Sequence, residues 1–478
     1  MSAPNMAGSH RKGPYSEFPA TAHASLPGLA WPGLATQHGG QLLALLYQLE
    51  QSQWWSPEQL RLHQFSQLAH VVQHALNTVP YYRRNRQAWG IDANWKLTPE
   101  SFTASLPILT RAEVQQGGAE FHSGQVPEAH GKIGDTFTSG STGRPLKTLK
   151  TGLAEMLWQA VTLREILWHR DMRKKLAIIK IIEGKHTGYP HGDLYKNWGN
   201  FASQTFATGP SCMLHMTTKT HEQVEWLLRM QPDYLFTFAG NAQALAQHCI
   251  REQIEFPALR QVITFSDLLR PEARAACKQA WGVPVVDIYS SAEAGYIALQ
   301  CPESENYHLQ SETMYIEILN EKGEACVPGE VGQVIATPLH NFAMPLLRYA
   351  SGDLAEVGEC ACGRGLPALK RIIGRTRSVM SLPSGAQIFP NFQDLLSELP
   401  MVQQFQVRRQ ERESLDVKLV VARELTASEA ALLERELQER FQYPFRVEIS
   451  YHDELPRSAS GKFHDFRDVY SEESGNGG

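Results

Sequence analysis

A short loop at residues 136–145 is rich in glycine and hydroxyl side chains. It reads TFTSGSTGRP and ends on a basic residue and a proline. Backbone N–H groups and hydroxyls in such a loop can donate to phosphate oxygens, and little side-chain bulk keeps the anion away. Polyphosphate binding is therefore the chemistry that this composition suggests. Arg144 follows the last glycine, so the Gly-Lys-Ser/Thr ending of a Walker A loop is absent, and a flexible surface linker is the alternative interpretation.

Three cysteines and one histidine form a second group of residues with chemical potential. Cys301 and His308 bracket the segment CPESENYH, and Cys360 and Cys362 follow within the segment CACGR. Three thiolates and one imidazole make a closed tetrahedral set of the kind that holds structural Zn²⁺. The Cys-x-Cys pair is tighter than the usual finger spacing, so spacing alone leaves unligated cysteines and a surface histidine open. We expect the remaining cysteines to be small, mostly buried hydrophobes, namely Cys212, Cys249, Cys277 and Cys326.

The elements that must position these residues alternate between strand-like and helix-like segments. Strands are predicted at 175–182, 234–238, 261–264 and 285–288, and helices at 221–230 and 241–253 and after Pro271. This alternation predicts an α/β fold. After Gly374 a shorter module begins, with strands at 416–421 and 445–451 around a helix that opens on a capping box, Thr426 to Glu429.

Length and composition point to more than one domain. A chain of 478 residues is too long for one ordinary compact core. We expect a flexible N-terminal segment at 1–38, a large domain of layered α/β subdomains at 39–376, a small mobile α/β domain at 377–470 and a flexible tail at 471–478. Both ends are rich in small and polar residues without sustained periodicity, which is the basis for predicting their flexibility.

The charge balance excludes several classes of partner. Lysine and arginine total 45 against 50 acidic residues, a formal charge of −5, so no broad attraction to nucleic acid or to an anionic membrane is predicted. No apolar stretch is long enough to span a bilayer, and the N-terminus lacks a signal-peptide pattern. A hydrophobic share of 42% with 20% charged residues is that of a soluble globular protein. The predicted location is cytoplasmic, with seven cysteines not forming a disulfide framework.

Taken with four later motifs in the same chain order, the loop resembles the phosphate-binding signature of the adenylate-forming (acyl-activating) superfamily. The later motifs are YSSAEAG at 289–295, RYASGD at 348–353, Gly374-Arg375 with the stretch to Pro390, and LPRSASGK at 455–462. VVQHALNTVPYYR at 71–83 and LPILTR at 106–111 resemble the N-terminal signatures of the phenylacetate-CoA ligase and CapK-like branch. The resemblance runs from about residue 45 to 467.

The resemblance implies a nucleotide site with assigned residues. Tyr289 would stack on adenine next to Ser290, Asp353 would bind the ribose hydroxyls, and Arg375 would belong to the hinge. Read without the family, Tyr289 could be core and Asp353 a turn residue. The residues implied for the ATP phosphates are Thr138, Ser139, Gly140, Ser141, Thr142 and Gly143.

Glu293 and Lys462 are the catalytic residues that the resemblance implies. Glu293 would help hold Mg²⁺, and Lys462 would reach the substrate carboxylate and the α-phosphate together. Charge on the phosphoryl oxygens must be neutralised before an anionic carboxylate can attack, which is why a metal and a cation are needed. Read alone, Glu293 could cap a following helix and Lys462 could be a solvated surface charge.

The implied activity is ATP-dependent conversion of a carboxylic acid, aromatic or arylacetic, to an acyl-adenylate, with transfer to a thiol, coenzyme A first of all. Transfer to a carrier-protein phosphopantetheine or to an amine or hydroxyl, and a nucleotide-binding sensor without catalysis, are the alternatives. A homodimer is left open. Arg377 and Ser378 depart from the aspartate common in the branch, which leaves control of the second half-reaction open. The aromatic residues in the region where the branch places acyl-site residues, with core packing as the alternative, are Trp198, Phe201 and Phe206.

Overall fold

The computed structural model describes residues 21–137, 146–182, 188–375, 380–383, 387–388, 399, 401–453, 455 and 466–470. The predicted phosphate-loop residues 138–143 and Lys462 therefore lie outside the described residues.

Helices cover both the N-terminal region and the connections between strands. Those described are α1 (Gln37–Ser52), α2 (Pro57–Thr78), α3 (Pro80–Asn85), α4 (Pro99–Ser105), α5 (Arg111–Gly117), α6 (Gly152–His169), α7 (Asn200–Thr205), α8 (Thr220–Met230), α9 (Ala239–Glu252), α10 (Pro271–Trp281) and α11 (Ala427–Phe441). None of them is both long and apolar enough to cross a bilayer.

The strands of the large region begin with a hairpin and continue through a long series. They are β1 (Ile133–Phe137), β2 (Lys147–Thr151), β3 (Leu176–Lys180), β4 (Asp193–Tyr195), β5 (Ser211–His215), β6 (Tyr234–Phe238), β7 (Gln261–Phe265), β8 (Val285–Ser291), β9 (Gly295–Gln300), β10 (Tyr307–Leu309), β11 (Met314–Leu319), β12 (Val331–Pro338), β13 (Tyr349–Gly358) and β14 (Ala368–Arg375). The strands that follow are β15 (Met380–Ser381), β16 (Gln387–Ile388), β17 (Val402–Glu411), β18 (Ser414–Val421), β19 (Arg446–Tyr451) and β20 (Phe466–Asp468).

One sheet of twelve strands organises the large region, in the order β11-β12-β13-β14-β10-β9-β8-β7-β6-β3-β5-β4. The pairs from β8 through β7, β6 and β3 to β5 are parallel, and helices α8, α9 and α10 connect these strands. The pairs from β8 through β9 to β11 are antiparallel. Strand β8 is therefore the boundary between a parallel half, which needs crossover helices, and an antiparallel half built from hairpins.

The alternating strands and helices predicted from the sequence fall in the parallel half of the sheet. The helices predicted at 221–230 and 241–253 are α8 and α9, and the helix predicted after Pro271 is α10. Pro271 occupies the first turn of α10, where its missing N–H costs nothing, and Gly282 ends it in the left-handed conformation. The predicted α/β fold class is confirmed by this architecture.

Strand β8 is longer than predicted. The apolar run indicated a strand at 285–288, with Tyr289 just beyond it, whereas β8 continues to Ser291. The parallel register with β7 ends at Ile288, but antiparallel pairing with β9 continues the ladder from Tyr289 to Ser291. Hairpin pairing therefore supplies backbone hydrogen bonds where the parallel neighbour stops.

A second, four-stranded sheet in the order β19-β18-β17-β20 carries its own core. The predicted capping box is present at the start of α11, where Thr426 accepts from the Glu429 N–H and Glu429 accepts from the Thr426 N–H. One face of α11 buries Leu433, Leu437 and Phe441 against this sheet. The boundary near residue 376 stays a prediction, and the described strands around it are β14, which ends at Arg375, and the short β15.

The described part of the N-terminal segment contacts the large region. Ala22 forms a bridge with Phe206, and the His23 N–H donates to the Thr205 carbonyl at 3.0 Å. Phe206 is buried in the cluster that also includes Trp198 and Phe201 at its edge. These aromatic side chains thus make the contacts of a hydrophobic core.

Candidate active site and metal centre

Tyr289 and Asp353 are in contact, although they lie 64 positions apart in the sequence. Tyr289 lies in β8 and Asp353 in β13, and the tyrosine hydroxyl donates to Asp353 Oδ2 at 2.8 Å. Both residues are buried, at 8% and 9% exposure. Arg375, the last residue of β14, is the register partner of Asp353. Three residues that the resemblance assigned to one nucleotide site therefore lie in one sheet, with Tyr289 and Asp353 in contact although three strands separate β8 from β13 in the strand order. Ser290 follows within β8.

Glu293 lies in the turn between β8 and β9. Its carboxylate forms an ion pair with Arg111, and the Tyr349 hydroxyl approaches the same oxygen at 3.5 Å. A strand follows this turn, so the alternative that Glu293 caps a helix is wrong. The carboxylate is thus held in the turn with one oxygen facing the Arg111 guanidinium.

Arg111 is a site residue that the sequence analysis did not single out. It is the first residue of α5, which begins behind a Thr110–Glu113 capping box. The segment 106–111 served only to indicate the branch, and this resemblance was the one signal that pointed to Arg111. The contact spans 182 residues of sequence, which no local pattern reveals.

Arg348 clamps the segment before α5 onto the sheet. Its guanidinium pairs with Glu317 at 2.9 Å and donates to the carbonyls of Thr103 at 2.8 Å and Leu106 at 2.6 Å. Both members of the ion pair are buried, so removing either one would leave a charge without its counterion. This clamp fixes the α4–α5 connection next to β13, the strand of Asp353.

The hairpin of β1 and β2 brackets the predicted phosphate loop. Phe137 at the end of β1 is the register partner of Lys147 at the start of β2. Asn341 donates to the Leu149 carbonyl at 2.8 Å and so ties β2 to the segment after β12. The loop residues 138–143 themselves lie outside the described residues, and their phosphate contacts stay a prediction.

Asp287, on β8, lies in a buried polar network. Its carboxylate accepts from the Thr264 hydroxyl at 2.6 Å and from the Tyr307 hydroxyl at 3.1 Å. Burial raises the pKa of Asp287 to about 6, and the hydrogen bonds from Thr264 and Tyr307 oppose that rise. The network links β7, β8 and β10 two residues before Tyr289, so it fixes the strand that presents the tyrosine.

The four predicted zinc ligands converge. Their ligand atoms all lie within 4.8 Å of one another, with Cys301 and Cys360 sulfurs 3.6 Å apart and Cys362 Sγ 3.2 Å from His308 Nε2. Thiolates bound tetrahedrally at about 2.3 Å would lie roughly 3.8 Å apart, close to the sulfur separation here. The group joins the end of β9 and the strand β10 to the connector between β13 and β14.

The surroundings of the cluster suit a metal. His308 Nδ1 lies 3.1 Å from the Leu366 carbonyl, which directs Nε2 towards the sulfurs. Burial lowers the pKa of His308 to about 4, so the imidazole is neutral and has a lone pair to offer. The backbone N–H of Glu303 donates to Cys301 Sγ at 3.4 Å. Arg364, buried beside Cys362 and 4.9 Å from the Trp168 ring centroid, supplies a positive charge next to the thiols.

Of the other four cysteines, three are fully buried, as expected. Cys326 is half-buried, and none of the four belongs to a metal-ligand cluster among the described residues.

The chain is similar to several known proteins. Residues 383–466 match the family model of the CapK C-terminal domain. The phenylacetate-coenzyme A ligase of Pseudomonas putida is 24% identical over 347 residues, which is 70% of this chain and 74% of that protein. The enzyme of the same name from Thermus thermophilus is 24% identical over 350 residues, with the same coverage.

Solved structures of one acid-CoA ligase share the fold. Crystallised in a postadenylation state with an acyl-AMP, 2-hydroxyisobutyryl-CoA ligase superposes with a TM-score of 0.65 at 18% identity, covering 86% of this chain and 90% of that one. The same enzyme with acyl-AMP and CoA in the thioesterification state gives a TM-score of 0.56, covering 89% and 93%.

Proposed function

We propose that this chain, which belongs to the adenylate-forming superfamily and its phenylacetate-CoA ligase branch, uses ATP to convert a carboxylic acid to an acyl-adenylate and passes the acyl group to coenzyme A. The observation that carries this proposal is the pairing of Tyr289 with Asp353 beside the turn of Glu293. Two separate motifs with nucleotide roles in the superfamily, at 289–295 and 348–353, thus meet in the folded chain. Relatives of 22–24% identity named phenylacetate-coenzyme A ligase support the reaction class.

The assigned roles divide binding from chemistry. Tyr289, Ser290 and Asp353 hold the nucleoside, with Arg375 at the hinge, and residues 138–143 bind the phosphates. Glu293 holds Mg²⁺, which neutralises charge on the phosphates when bound. Arg111 now pairs with Glu293, so it would yield that carboxylate to the metal and turn its own charge towards the phosphates. Lys462 stabilises the charge that forms as the carboxylate attacks the α-phosphorus.

The second half-reaction is thioester formation. Structures of 2-hydroxyisobutyryl-CoA ligase with the same fold contain CoA, which supports coenzyme A over a carrier protein or an amine as the acceptor. An aromatic or arylacetic acid is the proposed substrate, because phenylacetate is named in the relatives. The alternative of a nucleotide sensor without catalysis is disfavoured, because Glu293, Asp353 and Lys462 are all present in the chain.

Cys301, His308, Cys360 and Cys362 are proposed to hold a structural Zn²⁺. Four donors complete a tetrahedral shell and leave no position for a substrate, so the ion would crosslink rather than catalyse. The net charge of three thiolates, an imidazole and Zn²⁺ is negative, and Arg364 offsets it. The crosslink would tie β10 and the end of β9 to the β13–β14 connector, and so hold together the strands that present Tyr289 and Asp353.

A pyrophosphate-release screen tests the function. Aryl, arylacetic and fatty acids are offered with ATP and Mg²⁺, with and without CoA. We expect pyrophosphate release with at least one aromatic acid, and AMP release that rises on addition of CoA. If AMP release does not change on addition of CoA but rises on addition of an amine, the acceptor is an amine rather than CoA. ATP binding with no pyrophosphate from any acid would overturn the enzymatic proposal.

A further inference from the structure

A cavity that is partly open to solvent lies beside the turn that carries Glu293. Helix α6 and strand β2 line one side, and the β8–β9 turn and the segments before β11 and after β12 line the other. Because Glu293 is part of the wall, the cavity adjoins the place where the proposed chemistry occurs. A group bound there can present a carboxylate to the metal and phosphates.

The walls of the cavity are mainly flat and apolar. The rings of Trp158 and Tyr296 lie 4.6 Å apart between centroids and tilt by 44°. The Tyr296 hydroxyl accepts from Thr162 at 2.9 Å, so the ring is held in place and its polar end is satisfied. A Cβ at Gly295 would lie 3.6 Å from Met314 Cε and 3.7 Å from Trp158 Cε3, so the glycine keeps the space beside these side chains open. These surfaces suit an aromatic or other flat apolar acyl group.

Lys150 adds one cation to these walls. Its ammonium nitrogen lies 4.6 Å from the Trp158 ring centroid and is half-buried. Within the described ranges it takes part in no ion pair, while Lys147 on the same strand pairs with Asp135 at 3.0 Å. Burial lowers the pKa of Lys150, and the more distant carboxylates of Glu155 and Glu293 only partly oppose this.

The charges around the cavity do not balance by themselves. Glu293 is the carboxylate in the wall, and Arg111 already pairs with it. The charge of Lys150 is therefore left for a ligand, since the face of an aromatic ring compensates for lost hydration only in part. His340, another residue of the wall, has a buried Nδ1 that finds no hydrogen-bond partner among the described residues.

We infer that this cavity receives the acyl group and that Lys150 is a specificity-determining residue that selects an acid carrying a second anionic group on a flat apolar body. The inference rests on the proposed function, because it names the class of acid that the same site activates. The reacting carboxylate lies at the Glu293 end, and the second anionic group pairs with the Lys150 ammonium over Trp158.

The experiment compares acids matched in shape. Phenylacetate and its 2-, 3- and 4-carboxy derivatives are offered to the whole protein, and kcat/KM is measured by pyrophosphate release without CoA. We expect one carboxy isomer to be preferred over phenylacetate by about tenfold to a hundredfold, the range for a hydrogen bond to a charged group. Lys150→Met should abolish that preference while retaining activity with phenylacetate, and Lys150→Arg should keep most of it. Lys147→Met, on the same strand but exposed, should leave the preference unchanged.

The possible results distinguish this inference from the proposed function on which it rests. If wild type prefers phenylacetate, or if Lys150→Met slows all acids equally, Lys150 does not read a second anionic group and the inference is overturned while acid activation stands. If Lys150→Met does not fold, as judged by its melting temperature, the comparison of Lys150→Arg with Lys150→Gln decides in the same way. If wild type activates none of the acids in this set or in the wider screen, both proposals are overturned together.

Discussion

The Cys/His cluster and the candidate nucleotide site, which contains Tyr289, Glu293 and Asp353, lie in the same sheet but satisfy their charged groups in opposite ways. At the cluster, four donors face one another, a carbonyl orients the imidazole and Arg364 balances charge. At the candidate nucleotide site, the Glu293 carboxylate pairs with Arg111, whereas the Lys150 ammonium has no ion-pair partner among the described residues. A site that supplies all the donors for its ion fixes a structure, whereas a site that leaves charges for a ligand can respond to one.

The largest effect expected from this contrast is at the cluster. Cys362→Ser should remove the proposed Zn²⁺ and lower the free energy of unfolding by on the order of 5 kcal/mol or more, because a structural zinc ion contributes its binding energy to folding. Metal analysis and melting temperature measure this. Cys326→Ser is the matched control, since this half-buried cysteine lies outside the cluster. The zinc proposal is contradicted if the purified wild-type protein contains less than about a tenth of an equivalent of zinc and its thiols titrate freely.

At the candidate nucleotide site, the largest expected effect is on the rate of adenylation. Lys462→Ala should slow adenylation by about a hundredfold to a thousandfold and leave ATP affinity within about tenfold, because the contact belongs to the transition state. Pyrophosphate exchange and equilibrium ATP binding separate the two quantities. Lys418→Ala, a lysine of β18 near Asp416, should leave both unchanged. An equal loss of affinity and rate would make Lys462 a binding residue instead.

Glu293→Gln should have a smaller effect. The amide keeps the size of the side chain but removes the charge that holds the metal and Arg111, so we expect kcat to fall by about tenfold to a hundredfold and the Mg²⁺ requirement to rise. Steady-state kinetics across Mg²⁺ concentrations measure both. Glu324→Gln, at an exposed hairpin position, serves as the control. An unchanged Mg²⁺ requirement would assign Glu293 to holding Arg111 alone.

The smallest expected effect concerns stability in acid. The pKa of Asp287 is raised by burial from 3.8 to about 6 in the folded protein. The folded state therefore binds the proton more tightly, so the stability that this group contributes is complete below about pH 4 and is lost as pH rises through about 6. Asp287→Asn should remove up to about 1 kcal/mol per pH unit of this dependence between pH 4 and 6. Denaturant unfolding at several pH values measures it, and identical profiles for the two proteins would contradict it.

Much of the fold could be predicted because its signals are local. The 234–238 strand coincides with β6, and the capping box at Thr426 starts α11, because strand alternation and capping need residues only a few positions apart. The extent of β8 was wrong, because its last residues depend on pairing with β9 rather than on their own apolar character.

Part of the candidate site was also accessible from sequence. Motif order assigned Tyr289, Glu293 and Asp353 by resemblance, and donor chemistry grouped the four proposed zinc ligands. Arg111 was missed as a site residue because its partner lies 182 positions away and its own segment looks like an ordinary helix start. Lys150 was missed for a related reason, since only the folded chain shows that its ammonium lies over Trp158 without an ion pair in the described ranges.

The sequence by itself determined which residue types this protein can use: hydroxyls and glycines for a phosphate loop, thiols and an imidazole for a metal, and alternating segments for an α/β sheet. Only the tertiary structure decided which charges meet. Tyr289 reaches Asp353 across 64 residues, and Glu293 takes Arg111 as its partner while Lys150 is left to the cavity. The physical reason is that hydrogen-bond periodicity acts between near neighbours in the chain, whereas charge pairing depends on distances that folding alone sets.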